Sequence, residues 1–305
     1  MPNTLGHLGI QAIITRTLIK EADLKWIALG AIIPDIPWII QRLALSAPIT
    51  ILAYDVRLYA IVQSSLVFSL ILSAALAVVA NQPTRTFAIL SLGSAMHLIL
   101  DALETKWGNG VHFFAPLSWD LSNFGLFWPE DLITYLLSLG GLFYIVYAWK
   151  RLPVIPLLIA WPPLRHCLLS GVMFAVYLLL PLPLMSGPEA ADNHSVKTLR
   201  EVSERAGRDV KIDRPFYRKQ PDENRLRIFT GEEFKVQGLE PPSSGTLSVK
   251  GRFVNRNTIE IVDYHAHPPG LRDAASYIGL ALVIAVWSRA LVRGARLKIP
   301  RRQSA

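Results

Sequence analysis

The sequence predicts a mainly α-helical, polytopic membrane protein that carries one small β-rich domain outside the bilayer. Three observations predict it. Apolar residues make up 51% of the 305 residues and charged ones only 18%, below the ~25% usual in soluble domains, and mean hydropathy is +0.34. Several apolar runs reach the ~20 residues that cross a hydrocarbon core. One long polar stretch, about residues 186–272, switches its hydrophobic period from helix-like to strand-like along its length.

The net charge of +8 does not point to nucleic acid, because several basic residues flank apolar runs, as topology determinants do, and no basic stripe with interleaved aromatics occurs. The lone Cys167 excludes an intrachain disulfide and a thiolate metal cluster. Arg16 and Lys20 follow the first apolar run rather than precede it, and no small-residue cleavage site occurs, so that run is expected to stay in the mature chain.

In chain order, run 4–19 is short and carries His7. Arg16, Lys20 and Lys25 place the following turn in the cytoplasm under the positive-inside rule, and the N-terminus outside. Run 26–40 returns outward and contains Pro34, Asp35 and Pro37. A carboxylate in apolar surroundings is costly unless paired or ligating, which makes Asp35 a functional candidate. Runs 59–80, 87–102, 126–147, 167–184 and 274–291 then alternate. Their inner ends are marked by Arg85, by Lys150 and Arg151, by Trp161 and Arg165, and by Arg289, Arg293, Arg296, Lys298, Arg301 and Arg302. The count is seven spans, N-out and C-in, or six if 4–19 lies in the interface. Trp38, Trp107, Trp119 and Trp128 read as an outer aromatic belt, and Trp26, Trp149 and Trp161 as an inner one. Four units follow: a membrane-embedded helical domain over 1–150, a connection with the sixth transmembrane helix over 151–185, an extracytoplasmic β-rich domain over 186–272, and a final transmembrane helix with a basic cytoplasmic tail over 273–305.

Within the polar stretch, Val196, Leu199 and Val202 recur at helical spacing over 195–205. Leu226 and Ile228, Phe234 and Val236, Leu247 and Val249, and Ile259 and Ile261 then alternate as four short strands, the last two joined in a hairpin at Asn255-Arg256-Asn257. A domain this small closes into a sandwich or OB-like barrel, a surface for a periplasmic protein partner. His265 and His267 share one side of a strand end. As metal ligands they need a third partner, none is evident, and they read as a solvent-exposed strand end.

Polar chemistry concentrates in residues 93–120. His97 and Asp101, four apart on a helix, share one face about a turn apart, where an imidazole and a carboxylate can share a metal ion or a proton. The following loop carries Glu104, Lys106, Asn109 and His112. In the seven-span topology His7, Asp35, His97 and Asp101 fall at one depth, so two imidazoles and two carboxylates from three helices could close around a divalent metal. Zinc suits that set first, manganese or iron next. An open coordination position would acidify a water for attack on an ester or phosphoester, with Lys106 or His112 steadying the leaving group. The plainer readings are a His97–Asp101 hydrogen bond that pins helices, Asp35 capping a broken helix, His112 as a wet loop residue and Lys106 as a snorkelling cation.

Thr4…His7, the GAIIPDIPW stretch around Pro34-Asp35, and HLILD followed by a glycine-containing loop and FFAPLS resemble, in order, the bacterial inner-membrane predicted metal-dependent hydrolases of the LexA-binding, inner-membrane-associated type. The pattern is more distantly similar to zinc-dependent phospholipases C. The likeness covers about residues 1–150 and implies a multi-pass inner-membrane hydrolase of a lipid or envelope ester or phosphoester, with His7, Asp35, His97 and Asp101 on the metal. Three positions depart from the family pattern: Leu5-Gly6 separates Thr4 from His7, Pro37 replaces a second acid, and Gln63-Ser64 stands where the family has His-Ser. These departures favour the competing reading, a non-catalytic membrane scaffold or assembly factor whose outer domain docks partners.

Overall fold

The computed structural model describes residues 3–47, 52–151 and 162–298. Trp161, Arg301 and Arg302, given interfacial roles above, lie outside them. Helix α1 (Thr4–Leu18) starts at Asn3, whose side chain accepts the Gly6 N–H, and α2 (Leu24–Gly30) at Asp23, whose carboxylate accepts the Lys25 N–H. A 3₁₀ turn (Ile33–Asp35) then leads into α3 (Ile36–Ser46). This apolar segment breaks in the middle because Pro34 and Pro37 have no N–H to give, and Pro37 sits in the first turn of α3, where none is needed. Helices α4 (Ala53–Gln63) and α5 (Leu66–Val78) meet at 70°. The long α6 (Pro83–Leu103), α7 (Leu132–Arg151) and α8 (Leu164–Leu179) follow, then the short α9 (Pro181–Leu184), α10 (Ser186–Ala190) and α11 (Val196–Arg200). After the β-strands, α12 (Leu271–Lys298) ends the described chain.

The seven-span expectation is not met. Among the described residues four helical segments are long and apolar enough to cross a membrane: 24–46, 83–103, 164–190 and 271–295, with the bent α4–α5 pair as a fifth at most. Hydropathy overcounts because an apolar run does not fix a helix length. Helix α1 has 15 residues, about 22 Å at the α-helical rise against a core of about 30 Å, and the apolar part of α7, Leu132–Tyr147, is also short.

Small residues set how closely the helices approach. A Cβ on Gly9 would fall 1.9 Å from the Gly141 Cα, so α1 and α7 touch backbone to backbone, and a Cβ on Gly93 would fall 2.9 Å from the Gly30 carbonyl carbon, so α2 and α6 do the same. Leu5, Leu8, Leu24, Ala28, Ile145, Val283 and Val286 fill the space between α1, α2, α7 and α12.

The polar stretch folds into a closed barrel. Strands β1 (Asp209–Ile212) and β2 (Phe216–Arg218) run in succession along β5 (Gly245–Asn255) as one bent edge; β3 (Arg225–Arg227), β4 (Glu233–Gly238) and β6 (Thr258–His267) complete the ring. Pairing runs β2–β3 and β3–β4 antiparallel, β4–β6 parallel, then β6–β5 and β5–β2 antiparallel. That order, with its single parallel pair, is the five-stranded Greek-key barrel of OB folds. Tyr217, Leu226, Phe234, Leu247, Val249, Phe253, Ile259 and Ile261 fill it. The four expected strands are β3 to β6 and the hairpin turn is where Asn255–Asn257 places it. Strands β1 and β2 were not expected. The helix expected over 195–205 is α11 and a separate 3₁₀ turn, Val202–Glu204.

Candidate metal centre

The break between α2 and α3 builds the site. The Asp35 N–H turns to the Ile32 carbonyl at 2.9 Å rather than to the carbonyl four residues back, that of Ala31. His97, on α6 and brought close by the Gly30–Gly93 contact, places Nδ1 2.7 Å from that Ala31 oxygen. A carbonyl only accepts, so Nδ1 carries the proton and Nε2 of the neutral ring presents a lone pair. That lone pair faces Asp35 Oδ1 at 3.4 Å and Asp101 Oδ2 at 3.8 Å. From α1, His7 brings Nε2 to 3.2 Å from Asp101 Oδ1 and stacks its ring on His97, centroids 3.9 Å apart.

All four side chains are buried. His7 Nε2, His97 Nε2, Asp35 Oδ1 and Asp101 Oδ1 make no hydrogen bond, and Asp35 meets the cluster through His97 rather than within the group whose ligand atoms converge. Buried polar atoms are rarely left so, and an imidazole lone pair aimed at a carboxylate repels unless a proton or a cation lies between them. Ligand atoms of His7, His97 and Asp101 all lie within 4.8 Å of one another. A nitrogen and oxygen set of this kind is what zinc, manganese or iron takes, so the residues present fit a divalent transition ion.

Lys106 lies beside the cluster, its Nζ 3.3 Å from Asp101 Oδ2 and 3.4 Å from Glu104 Oε2. Burial works against its charge, but Asp101 and Glu104 outweigh burial and raise its pKa, so it is a fixed ammonium. The polar contacts of His112 lie elsewhere: its Nε2 accepts from Asn193 Nδ2 at 2.8 Å and its ring tilts against Trp119. Burial pushes its pKa down to about 4, so His112 is a neutral imidazole near pH 7. Gln63 donates to the Tyr177 carbonyl at 3.0 Å and ties α4 to α8.

A cavity of about 650 Å³ lies between helices and barrel. Its wall joins Asp35, His97 and Asp101 of the helices to Lys106 and His112 of the loop and to Arg214 and His267 of the barrel. At the joint itself sits a second group that sequence reading does not assemble. His267 Nδ1 is 3.0 Å and His265 Nε2 3.7 Å from the two oxygens of Glu130, which precedes α7. His267 is buried, not solvent-exposed, and Trp128 stacks flat on His265. Glu130 lies 137 positions before His267, and no local spacing connects them.

Fold and site together define a mostly helical protein with apolar spans, a closed barrel and two histidine–carboxylate clusters. Comparison with protein-family models, with curated proteins and with solved structures finds no match for this chain.

Proposed function

We propose that this protein is a metal-dependent hydrolase of the bacterial inner membrane, acting on an ester or phosphoester of a lipid or other envelope molecule at the outer face. The observation that carries this reading is the convergence of buried ligand atoms of His7, His97 and Asp101, with Asp35 Oδ1 3.4 Å from His97 Nε2, where none makes a hydrogen bond; Asp35, His97 and Asp101 also border a cavity large enough for a headgroup. A divalent ion held there would supply Lewis acidity toward an ester or phosphoester oxygen. The chain's own groups do the rest. Lys106 sets a fixed positive charge where negative charge accumulates, Arg57 and Arg214 on the cavity wall suit an anionic headgroup, and His112 is a neutral polar wall. The resemblance over residues 1–150 supports the same class. The contact of Arg85 with the Lys20 carbonyl, and of Arg289 with that of Trp149, gathers basic residues at inner helix ends, which supports a cytoplasmic side there and the barrel outside.

The test is metal content by elemental analysis of detergent-purified protein, wild type beside His97→Ala and Asp101→Ala, followed by turnover of lipid esters and phosphoesters. Near-stoichiometric zinc, manganese or iron, lost in both variants together with turnover, is the expected result. A wild type that takes up no metal after supplementation, with variants that only lower Tm, overturns it and favours the scaffold reading.

A further inference from the structure

We propose a second divalent-cation site at the joint between barrel and helices, formed by His265 and His267 of β6 with Glu130 of the loop before α7. Their ligand atoms lie within 4.8 Å of one another. Two imidazoles and one carboxylate are the set that holds zinc in several hydrolytic enzymes, and two nitrogen donors disfavour calcium and magnesium. The ion is therefore of the zinc class.

Two atoms of this group, His265 Nε2 and Glu130 Oε2, are buried without a hydrogen-bond partner and face each other. The rings are held as metal-ligating imidazoles are held. Trp128 lies face to face on His265, centroids 3.7 Å apart and planes 1° from parallel. Ser248 Oγ lies 2.9 Å from His267 Nε2 and 2.9 Å from Asp213 Oδ1. The serine has one proton and the carboxylate none to give, so Ser248 donates to Asp213 and accepts from His267 Nε2–H. His267 Nδ1 is left as a lone pair directed at Glu130. This carboxylate–serine–histidine chain is the outer support that fixes tautomer and ring orientation in metal sites.

Arg214 makes the site a competition. Its Nη1 lies 2.9 Å from Glu130 Oε1 and 3.3 Å from His267 Nδ1, so the guanidinium supplies the positive charge when no ion is bound. An ion taking Nδ1 must displace it from that nitrogen, while Glu130 Oε1 remains for Arg214. The bound ion then ties the last barrel strand to the loop that starts α7, and the His265 side chain, 28% exposed, gives it a way in.

The proposal shares no ligand with the hydrolase centre and can be tested apart from it. Full-length protein in detergent is stripped with chelator and titrated with zinc by calorimetry, and with cobalt by visible absorption, in a His97→Ala/Asp101→Ala background. One equivalent should still bind there. It should vanish in Glu130→Gln and in His267→Ala, and should bind about tenfold tighter in Arg214→Ala, the size of effect expected when one neighbouring charge is removed. An ion-pair network that holds no metal gains nothing from Arg214→Ala. No binding in the background protein, or binding unchanged across the three variants, overturns the proposal. Failure of the hydrolase centre reads differently, as a wild type that binds no more metal than the background protein.

Discussion

The bundle cluster and the barrel cluster are both made of imidazoles and carboxylates and are compensated differently. His7, Asp35, His97 and Asp101 come from three helical segments, and four of their ligand atoms make no hydrogen bond. Lys106, the cation beside them, touches one carboxylate of the set and is shared with Glu104. In the barrel cluster Arg214 reaches both Glu130 and His267, and two ligand atoms, His265 Nε2 and Glu130 Oε2, make no hydrogen bond. A cation is thus built into the middle of the barrel cluster, whereas in the bundle cluster Lys106 reaches a single carboxylate of the set.

That difference predicts where carboxylate loss hurts most in the absence of metal. Glu130→Ala leaves Arg214, His265 and His267 facing one another in a joint where Arg214 and His265 are partly exposed, a loss of about 1–3 kcal/mol, the cost of leaving polar partners unsatisfied. Thermal unfolding in chelator, with proteolysis of the 186–272 region as a second readout, should show it. Asp101→Asn in the same buffer should cost clearly less, because Lys106 keeps Glu104 and His97 keeps Asp35. Equal losses would mean that both clusters are ion-pair networks.

His112 supplies the reference, a buried histidine satisfied by a neutral amide. Its pKa, pushed by burial to about 4, lies below the ~6.5 of an unfolded histidine. Folding favours the neutral ring, so its contribution is whole above about pH 6.5 and is lost as pH falls toward 4, on the order of 3 kcal/mol in all. In His112→Asn the fall in stability across that window should be shallower than in wild type, read as Tm against pH. Parallel curves would show that His112 does not differ in charge between the two states.

The chain shows some of this in its sequence and hides the rest for physical reasons. His97 and Asp101 are legible because a helix repeats its face every four residues, and β3 to β6 because alternation marks a half-buried strand. Asp35 is legible as a carboxylate among apolar residues. Strands β1 and β2 have four and three residues, too few to establish a period. The Ala31 carbonyl that orients His97 is backbone, freed by a break two prolines downstream, and no side chain announces it. Glu130 is brought to His265 and His267 by barrel docking alone. Trp128, given to an aromatic belt on sequence grounds, also stacks on His265, a contact that no local spacing announces. Span number is overcounted because hydropathy sees composition and not where a helix bends, as at Ser64-Ser65 between α4 and α5.

The smallest effect separates the two clusters without touching a ligand in either. Gly93 lets α6 lie on α2, and an alanine Cβ there would sit 2.9 Å from the Gly30 carbonyl carbon and 3.0 Å from its Cα. Both are backbone atoms on packed helices, so the helices must move apart rather than a side chain turn. Ala31, next to Gly30, moves with them, and its carbonyl withdraws from His97 Nδ1, now 2.7 Å away. A ligating histidine that loses such an orienting bond weakens metal binding by about 10–100-fold, or roughly 1.4–2.7 kcal/mol. Gly93→Ala should therefore weaken zinc binding at the bundle centre by that factor and leave the barrel equivalent unchanged in the same titration. The barrel cluster is spared because its ligands lie on β6 and the loop before α7, neither of which leans on the α2–α6 contact. Equal weakening at both sites would mean that the two clusters move as one body, and no change at either would mean that the Ala31 carbonyl does not hold His97 in place.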